Sequence, residues 1–444
     1  MKVFVSARLG IVALLIGAMG AGCGVASPSF SEPVHFQSLV VTGEEGGRRL
    51  YAAGFGDSTL RGYEVGASLT LDEVLWSGGA PGPVNLGSIG PTLEAQLVGA
   101  WGLTVTSSGG LVASSRLGHA VLLFGGSGGP LSLAQAVRQG EVVERAGGSA
   151  GLVAASGLDR VGPVEVEGNW LYSGGSDALG LFSLASDALE FRGSSSALRG
   201  ADDLLALPGE GAWGRVVLTR CRAAVVGGAC LSASDPAELL VVTRDADEEL
   251  GVASRLDDAA VMVGNGALAA TTTSSGSDLV LAVFEGSSTV QGYLVEADGT
   301  LTSTGSRRLV APYWDPAALP PLSSGAASTS TSAPLLSGQI ALLGEMVFVA
   351  VRSGGFVAHF PLSCLGQANT AAECLNVTCL DAEGGCAGPS AASITPHYPF
   401  TVAIGGARVY VGVDVVDSAG RVTTKIAILE TQDGAVTLIE LVDG

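Results

Sequence analysis

Positive charge is scarce in this sequence of 444 residues. Lys and Arg together number 22 against 42 Asp and Glu, and the lysines are Lys2 and Lys425 alone. The resulting net charge of −20 repels phosphate backbones and anionic lipid headgroups. The composition therefore argues against nucleic acid as a partner, and the acidity is most simply a means of solubility.

Catalytic motifs are missing as well. The chain has no Gly-Lys-Ser/Thr phosphate loop. Its four histidines are scattered and are predicted to be packing or surface residues: His35, His119, His359 and His397. Two acidic pairs lack the alternating ligands of a calcium loop and are predicted to be solvated turns: Asp202–Asp203 and Asp257–Asp258. We therefore predict no catalytic residue, no metal site and no cofactor.

Long apolar runs are confined to the N-terminus. Lys2 and Arg8 precede a short apolar stretch at 9–19, and Gly20-Ala21-Gly22-Cys23 follows. A charged start, a short apolar run and small residues before a cut are typical of a secretory signal. The stretch is shorter than the roughly 20 residues that a membrane span needs.

The end of this signal resembles the bacterial lipobox. The match covers Ala21, Gly22 and Cys23 and departs at Gly20, where the family usually has Leu. The resemblance implies that residues 1–22 are removed and that Cys23 is lipidated, so the membrane is reached through the lipid. The alternative is an ordinary signal with an incidental cysteine. Gly24 replaces the Asp that retains such proteins at the inner membrane, which favours the outer membrane of the cell envelope.

Seven cysteines leave an even number once Cys23 is set aside. An even remainder in an exported protein favours disulfides, here among Cys221, Cys230, Cys364, Cys374, Cys379 and Cys386. The first two flank a short loop and are predicted to pair. The last four could instead bind zinc, but they lack the close Cys-x2-Cys spacing of zinc knuckles. Their pairing is left open.

Ten-residue segments repeat along the chain. Residues 56–65 (GDSTLRGYEV) align without a gap on 286–295 (GSSTVQGYLV), and 175–184 (GSDALGLFSL) is a weaker copy. Each copy follows a short strand and reads as a turn and a second strand. Asp298-Gly299 and Asp433-Gly434 add further hairpins, because Gly accepts the positive φ of the turn. The repeat predicts about four strands per unit and seven units, which start near residues 45, 100, 150, 200, 258, 337 and 398.

The repeats resemble the blades of lactonase-like seven-bladed β-propellers, including the YVTN-type family. The shared features are Ser-Thr-Val/Leu after a turn, then Gly-Tyr-x-Val, then Asp-Gly-x-Leu; the family's frequent Ser-Pro-Asp-Gly turn is absent. The resemblance implies an all-β propeller of seven four-stranded blades. A β-sandwich, or two stacked β domains, is the alternative fold.

The predicted organisation follows from these features. Residues 1–22 are the signal, 23–44 the lipidated N-terminus, tether and a strand that could close the ring, and 45–444 the propeller. Irregular insertions are predicted at 310–336, which is rich in Pro, Ser and Thr, and at 362–389, which holds four cysteines. The predicted function is a non-catalytic binding or scaffold module of the cell envelope with a protein or carbohydrate ligand. The alternatives are a lactonase-like hydrolase and a sugar- or peptide-binding envelope protein.

Overall fold

The computed structural model describes most of the chain after residue 33. The described residues are 34–44, 46–76, 97–125, 130–144, 152–184, 188–207, 214–222, 230, 235–258, 261–287, 289–310, 337–351, 355–366, 374–380, 397–417, 421–432 and 434–444. The predicted signal, Cys23, Cys386 and residues 311–336 of the first insertion lie outside them.

Seven antiparallel four-stranded sheets follow one another along the chain, each with its strands in sequence order. The first blade is β1 (Phe36–Thr42), β2 (Arg49–Gly54), β3 (Thr59–Val65) and β4 (Leu69–Trp76). The second is β5 (Ala100–Val105), β6 (Leu111–Ser115), β7 (Ala120–Gly125) and β8 (Ser132–Arg138), and a small pair follows, β9 (Val142–Glu144) and β10 (Leu152–Ala154). The third is β11 (Val164–Glu167), β12 (Trp170–Gly174), β13 (Leu179–Ser183) and β14 (Glu190–Ser195).

The remaining four blades repeat this arrangement. The fourth is β15 (Ala201–Leu207), β16 (Arg215–Cys221), β17 (Ala237–Arg244) and β18 (Leu250–Leu256). The fifth is β19 (Gly266–Thr272), β20 (Asp278–Phe284), β21 (Thr289–Val295) and β22 (Leu301–Leu309). The sixth is β23 (Ser337–Leu343), β24 (Met346–Val351), β25 (Phe356–Pro361) and β26 (Asn376–Cys379), and the seventh is β27 (His397–Gly405), β28 (Arg408–Val416), β29 (Val422–Gln432) and β30 (Ala435–Asp443).

The seven sheets form a closed ring. The first strand of each blade contacts the first strand of the next blade, and β27 contacts β1. The described residues form seven buried apolar clusters, and each cluster joins two neighbouring blades. The predicted seven-bladed propeller is therefore confirmed, and the sandwich alternative is wrong because no two sheets pack face to face as a pair apart from the ring.

The sequence repeat corresponds to the third strand of a blade. Its three copies place Tyr63, Phe182 and Tyr293 at one position of β3, β13 and β21, and all three side chains are buried. Apolar residues of these central strands point to both faces of the sheet. Both faces are buried because each blade is covered by a neighbour on either side. Gly299 and Gly434 have φ of 84° and 81° in the hairpins predicted from Asp-Gly.

The first blade begins earlier than the predicted start at residue 45. β1, predicted as a strand that could close the ring, is the inner strand of this blade and hydrogen-bonds to β2. All four strands of the last blade come from 397–443. The ring therefore closes by side-chain packing between β27 and β1, an interface that we call the seam. The third blade starts at Val164, later than predicted, because β9 and β10 precede it.

The predicted insertion at 362–389 is only partly irregular. It contains a short 3-10 helix, Leu362–Cys364, and β26, which pairs with β25 as the outer strand of the sixth blade. Cys364 and Cys374 form a disulfide in the connection between these strands, with Cα atoms 5.6 Å apart. Zinc binding by these two cysteines is thereby ruled out. Cys379 is also disulfide-bonded.

The second disulfide lies in the fourth blade. Cys221 and Cys230 are joined as predicted, with Cα atoms 5.2 Å apart. Both cysteines are buried and pack in the cluster between the fourth and fifth blades. The bridge closes the base of the connection between β16 and β17.

Candidate ligand site at one mouth of the channel

The two ends of the ring carry different loops. Because the strands of a blade alternate in direction, the inner strands begin at the end where second strands turn into third strands. We call this end the front mouth and the opposite end the rear mouth. Connections between blades also lie at the front mouth, so it gathers loops from every blade around the central channel.

Inner strands carry irregularities near the front mouth. The register with the second strand shifts in β1, β5, β15, β23 and β27 within the first few residues. An extra residue of this kind re-aims a side chain and lets consecutive side chains share a face. In β15 the extra residue is Asp202, since Ala201 pairs with Arg220 and Asp203 pairs with Thr219.

Asp202 is the central residue of the site. Both of its carboxylate oxygens are buried, and neither has a hydrogen-bond donor among the described residues. Burial raises the pKa of Asp202 well above its usual value, Arg116 opposes the shift, and Asp203 and Glu285 add to it. Arg116 belongs to the second blade and Glu285 to the fifth. Because Asp202 of the fourth blade interacts electrostatically with both Arg116 and Glu285, its side chain must lie near the ring axis.

Two further acids line the channel but are bound to the ring. Asp203 accepts hydrogen bonds from the backbone N–H groups of Leu204 (3.0 Å) and Leu268 (2.8 Å), the latter on the next inner strand. Glu165 of β11 likewise accepts from the backbone N–H of Ala206 on β15. Burial raises the pKa of Asp203 to about 7, and burial with the nearby Asp203 raises the pKa of Glu165 to about 8. The hydrogen bonds of these carboxyls therefore join three neighbouring inner strands, β11, β15 and β19.

An arginine and an aromatic side chain form the opposite side of the site. The Arg116 guanidinium lies 4.1 Å from the centre of the Trp101 ring, a cation–π geometry. Burial lowers the pKa of Arg116, although Asp202 raises it. The Cβ that Gly162 lacks would lie 3.3 Å from Arg116 Nη1, so the bare backbone of the third blade leaves room for the guanidinium.

Glu285 is held in place from the fourth and fifth blades. Its Oε2 accepts a hydrogen bond from Asn265 Nδ2 at 2.9 Å. Asn265 Oδ1 in turn accepts from the backbone N–H of Cys230 at 2.9 Å. The Cys221–Cys230 disulfide therefore fixes one end of a chain of contacts that leads to the site.

The histidines do not join this cluster. His359 is buried in β25, stacks on Phe348 and lies 3.2 Å from Thr378 Oγ1; burial lowers its pKa to about 4. His119 lies in the turn before β7, with Nδ1 2.9 Å from Asp159 Oδ1 of the third blade. His359 thus fills a blade interior, as predicted for a packing residue, and His119 links two blades at the front mouth.

His35 and His397 belong to the seam region and the last blade. His35 precedes β1 and contacts Asp414 of β28 through Nδ1. His397 is the buried first residue of β27.

The two acidic pairs behave differently. Asp257 and Asp258 are exposed, and Asp257 pairs with Arg222 at 2.9 Å, in keeping with a solvated turn. The prediction is wrong for Asp202 and Asp203, which lie on an inner strand with buried oxygens. The bulge in β15 is the reason, because it turns two consecutive acids away from solvent and toward the channel side.

Four other residues of the site were not predicted: Trp101, Arg116, Glu165 and Glu285. A signal for two of them was present. Trp101, Glu165 and Asp202 are each the second residue of the first strand of a blade. Alignment of the units on their first strands, and not only on the third, would have placed these side chains at one level of the ring.

Among the described residues, no group of three His, Cys, Asp or Glu side chains could hold a metal ion. No helix within that part of the chain is long and apolar enough to cross a membrane.

No family model and no curated protein matches this sequence. The periplasmic gluconolactonase of Pseudomonas aeruginosa superposes with a TM-score of 0.49 at 14% identity, over 91% of this chain and 95% of that one. A protein from Lactobacillus plantarum gives 0.47 at 12% identity over 91% and 95%. Virginiamycin B lyase from Staphylococcus aureus gives 0.43 at 7% over 84% and 90%.

One of these neighbours is named as a gluconolactonase. Likeness at this level carries no inference about what the chain binds or does. The seven-bladed architecture rests on the strand pairing of the chain itself.

Proposed function

We propose that the chain is a cell-envelope lipoprotein whose propeller is a non-catalytic binding module, with its ligand at the front mouth. The observation that carries the proposal is the Asp202 carboxylate, buried without a donor where the second, fourth and fifth blades meet. A buried polar group without a partner costs free energy. It is retained in a folded protein where a ligand or ordered water supplies the missing partner.

Binding fits this site better than catalysis. A general base must lie within hydrogen-bond reach of the proton that it abstracts. Glu165 and Asp203, whose pKa values lie near neutrality, accept backbone hydrogen bonds that hold inner strands together. His35 contacts Asp414, His119 contacts Asp159, and His359 contacts Thr378. The described residues therefore offer one carboxyl without a hydrogen-bond donor and one arginine rather than a nucleophile with its base.

The lipid anchor rests on the sequence. Mass spectrometry of the membrane-extracted protein should find a lipidated peptide that begins at Cys23. A free N-terminus at another residue would exclude the anchor and leave the binding site untouched. Cell fractionation then distinguishes the outer membrane, which Gly24 favours, from the inner membrane.

A lactonase-like hydrolase is the second candidate, supported by the blade resemblance and by Arg116 beside carboxylates at the mouth. The test is a lactone panel assayed with the full chain purified in detergent. No turnover is expected. Turnover that is lost in Asp202→Asn and kept in Asp247→Asn would replace the binding proposal with the enzyme. Asp247 is a suitable control because it is exposed in the turn between β17 and β18, at the rear mouth of the same blade.

A further inference from the structure

Acidic side chains are concentrated on one side of the site. Asp202 and Asp203 belong to the fourth blade and Glu285 to the fifth; burial raises the pKa of Asp202, and Asp203 and Glu285 lie close enough to add to the shift. Arg116 faces them from the second blade, and Arg160 lies near enough to lower the pKa of Arg116. The three carboxyls of the fourth and fifth blades therefore lie on the side of the site opposite Arg116.

Arg116 does not donate a hydrogen bond to Asp202. Its guanidinium lies over Trp101, and neither Asp202 oxygen has a hydrogen bond among the described residues. A cation that donates hydrogen bonds directly to a buried carboxylate forms a shorter and stronger contact than one held at a distance. The unsatisfied oxygens of Asp202 therefore suit a donor that bears positive charge.

An apolar cluster lies on the Arg116 side of the site. Trp101 packs edge-to-face on Phe55 of the first blade, with ring centres 5.3 Å apart. Phe55 and Leu117 close over Gly99: the Cβ that Gly99 lacks would lie 2.9 Å from Phe55 Cε2 and 3.0 Å from Leu117 Cγ. Leu117 is 54% exposed, the highest value among the large apolar side chains exposed in the described residues.

We propose that the front mouth binds an amphiphilic cation: a primary ammonium or guanidinium at Asp202, attached to an apolar body that covers Leu117 and Phe55. The inference rests on the proposed binding function and names its ligand class. The ammonium supplies the donors that Asp202 lacks, and the apolar body removes Leu117 from water. The net charge of −20 attracts such a ligand to the protein before contact.

The charge arm of the test uses three probes of one shape: phenethylammonium, 2-phenylethanol and phenylacetate. Calorimetric titration of the full chain in detergent should show binding of the ammonium alone. In Asp202→Asn, Kd for phenethylammonium should rise at least about tenfold, because hydrogen bonds to a charged group are lost. The matched variant Asp247→Asn should bind as the parent does. Thermal melts of both variants show whether each remains folded.

The apolar arm uses Leu117→Ser, a change at an exposed turn that leaves the core intact. It should weaken phenethylammonium about fivefold and leave methylammonium unchanged, since only the larger probe covers the leucine. A Phe-Lys amide dipeptide distinguishes the source of the cation: tighter binding than phenethylammonium assigns the site to basic peptides, and weaker binding to free amines.

Two results would overturn the inference, and they differ from failure of the proposed function. Equal binding of 2-phenylethanol and phenethylammonium would refute a cationic ligand and leave the proposed binding module standing. Binding of a neutral sugar, with no response to either phenyl probe, would have the same meaning. Lactone turnover dependent on Asp202 would refute the binding module itself.

Discussion

His35 and Asp414, 379 positions apart in the sequence, share a hydrogen bond across the seam of the ring. Asp414 is buried and also accepts a hydrogen bond from Thr424 Oγ1 at 2.7 Å, while the backbone N–H of His35 donates to the same Thr424 hydroxyl. The residue before the first strand is thereby fastened to two strands of the last blade. Because no strand is shared across the seam, these polar contacts supplement apolar packing there.

Replacement of His35 by Ala should destabilise the whole ring. The buried Asp414 carboxylate loses a partner, which costs about 1–3 kcal/mol in the free energy of unfolding. Chemical denaturation measures the change. Arg421→Ala is the control, since Arg421 is 81% exposed in its pair with Asp417 and its loss should leave the midpoint unchanged. Equal stability of His35→Ala and the parent would show that packing alone closes the seam.

Glu165 should make stability fall as pH rises. Its folded pKa of about 8 exceeds the ordinary value of 4.5, so the folded state binds more protons than the unfolded state between these values. The stability that this group contributes is complete below about pH 4.5 and is lost as pH rises through about 8. Glu165→Gln keeps an oxygen for Ala206 N–H and cannot ionise, so denaturation midpoints between pH 5 and 8 should vary less. Glu64→Gln, at an exposed site of β3, should keep the parental slope.

Gly157→Ala should be among the most damaging small changes. Gly157 has φ of 80°, and an added Cβ would lie 2.4 Å from the backbone nitrogen of Gly180. Gly140 has φ of 74° with nothing within 4 Å of its Cβ position, so Gly140→Ala reports backbone strain alone. We expect about 1 kcal/mol for Gly140→Ala and at least about 3 kcal/mol for Gly157→Ala. Similar thermal melts for the two variants would contradict the close approach of β13.

The cysteines should be fully oxidised in the exported protein. Thiol titration of the denatured, unreduced chain should find essentially none of the six cysteines after Cys23 free. Reduction should then lower the free energy of unfolding by about 2–4 kcal/mol per bridge. Four free thiols after treatment with a chelator would contradict the prediction for the region after Cys364.

Much of the fold followed from local pattern. Tyr63 and Tyr293 recur at one place in the third strands, and the Asp-Gly turns recur with Gly299 and Gly434 at positive φ. These features depend on residues close together in sequence, which is why the blade count and most blade starts could be predicted. β26 was missed because four residues between two cysteines resemble a loop until β25 provides its partner.

The site could not be found in the same way. Asp202 meets Arg116 and Glu285 only because a ring brings the second, fourth and fifth blades to one axis. Its direction further depends on one extra residue in β15, and a bulge has no distinctive mark in a run such as Ala-Asp-Asp-Leu. From the sequence alone, two adjacent acids without a recognisable ligand pattern therefore predicted a solvated turn.

The position of His35 has a geometric consequence for access to the channel. Backbone carbonyls of Val34 and His35 accept from Gly56 and Phe55 in a front-mouth turn, so the chain enters the ring at the same mouth as Asp202. If Cys23 carries a lipid, eleven peptide units join it to Val34, and an extended chain of that length spans at most about 40 Å. The front mouth would then be tethered close to the bilayer surface, and it would bind ligands from the thin layer of solution next to the membrane.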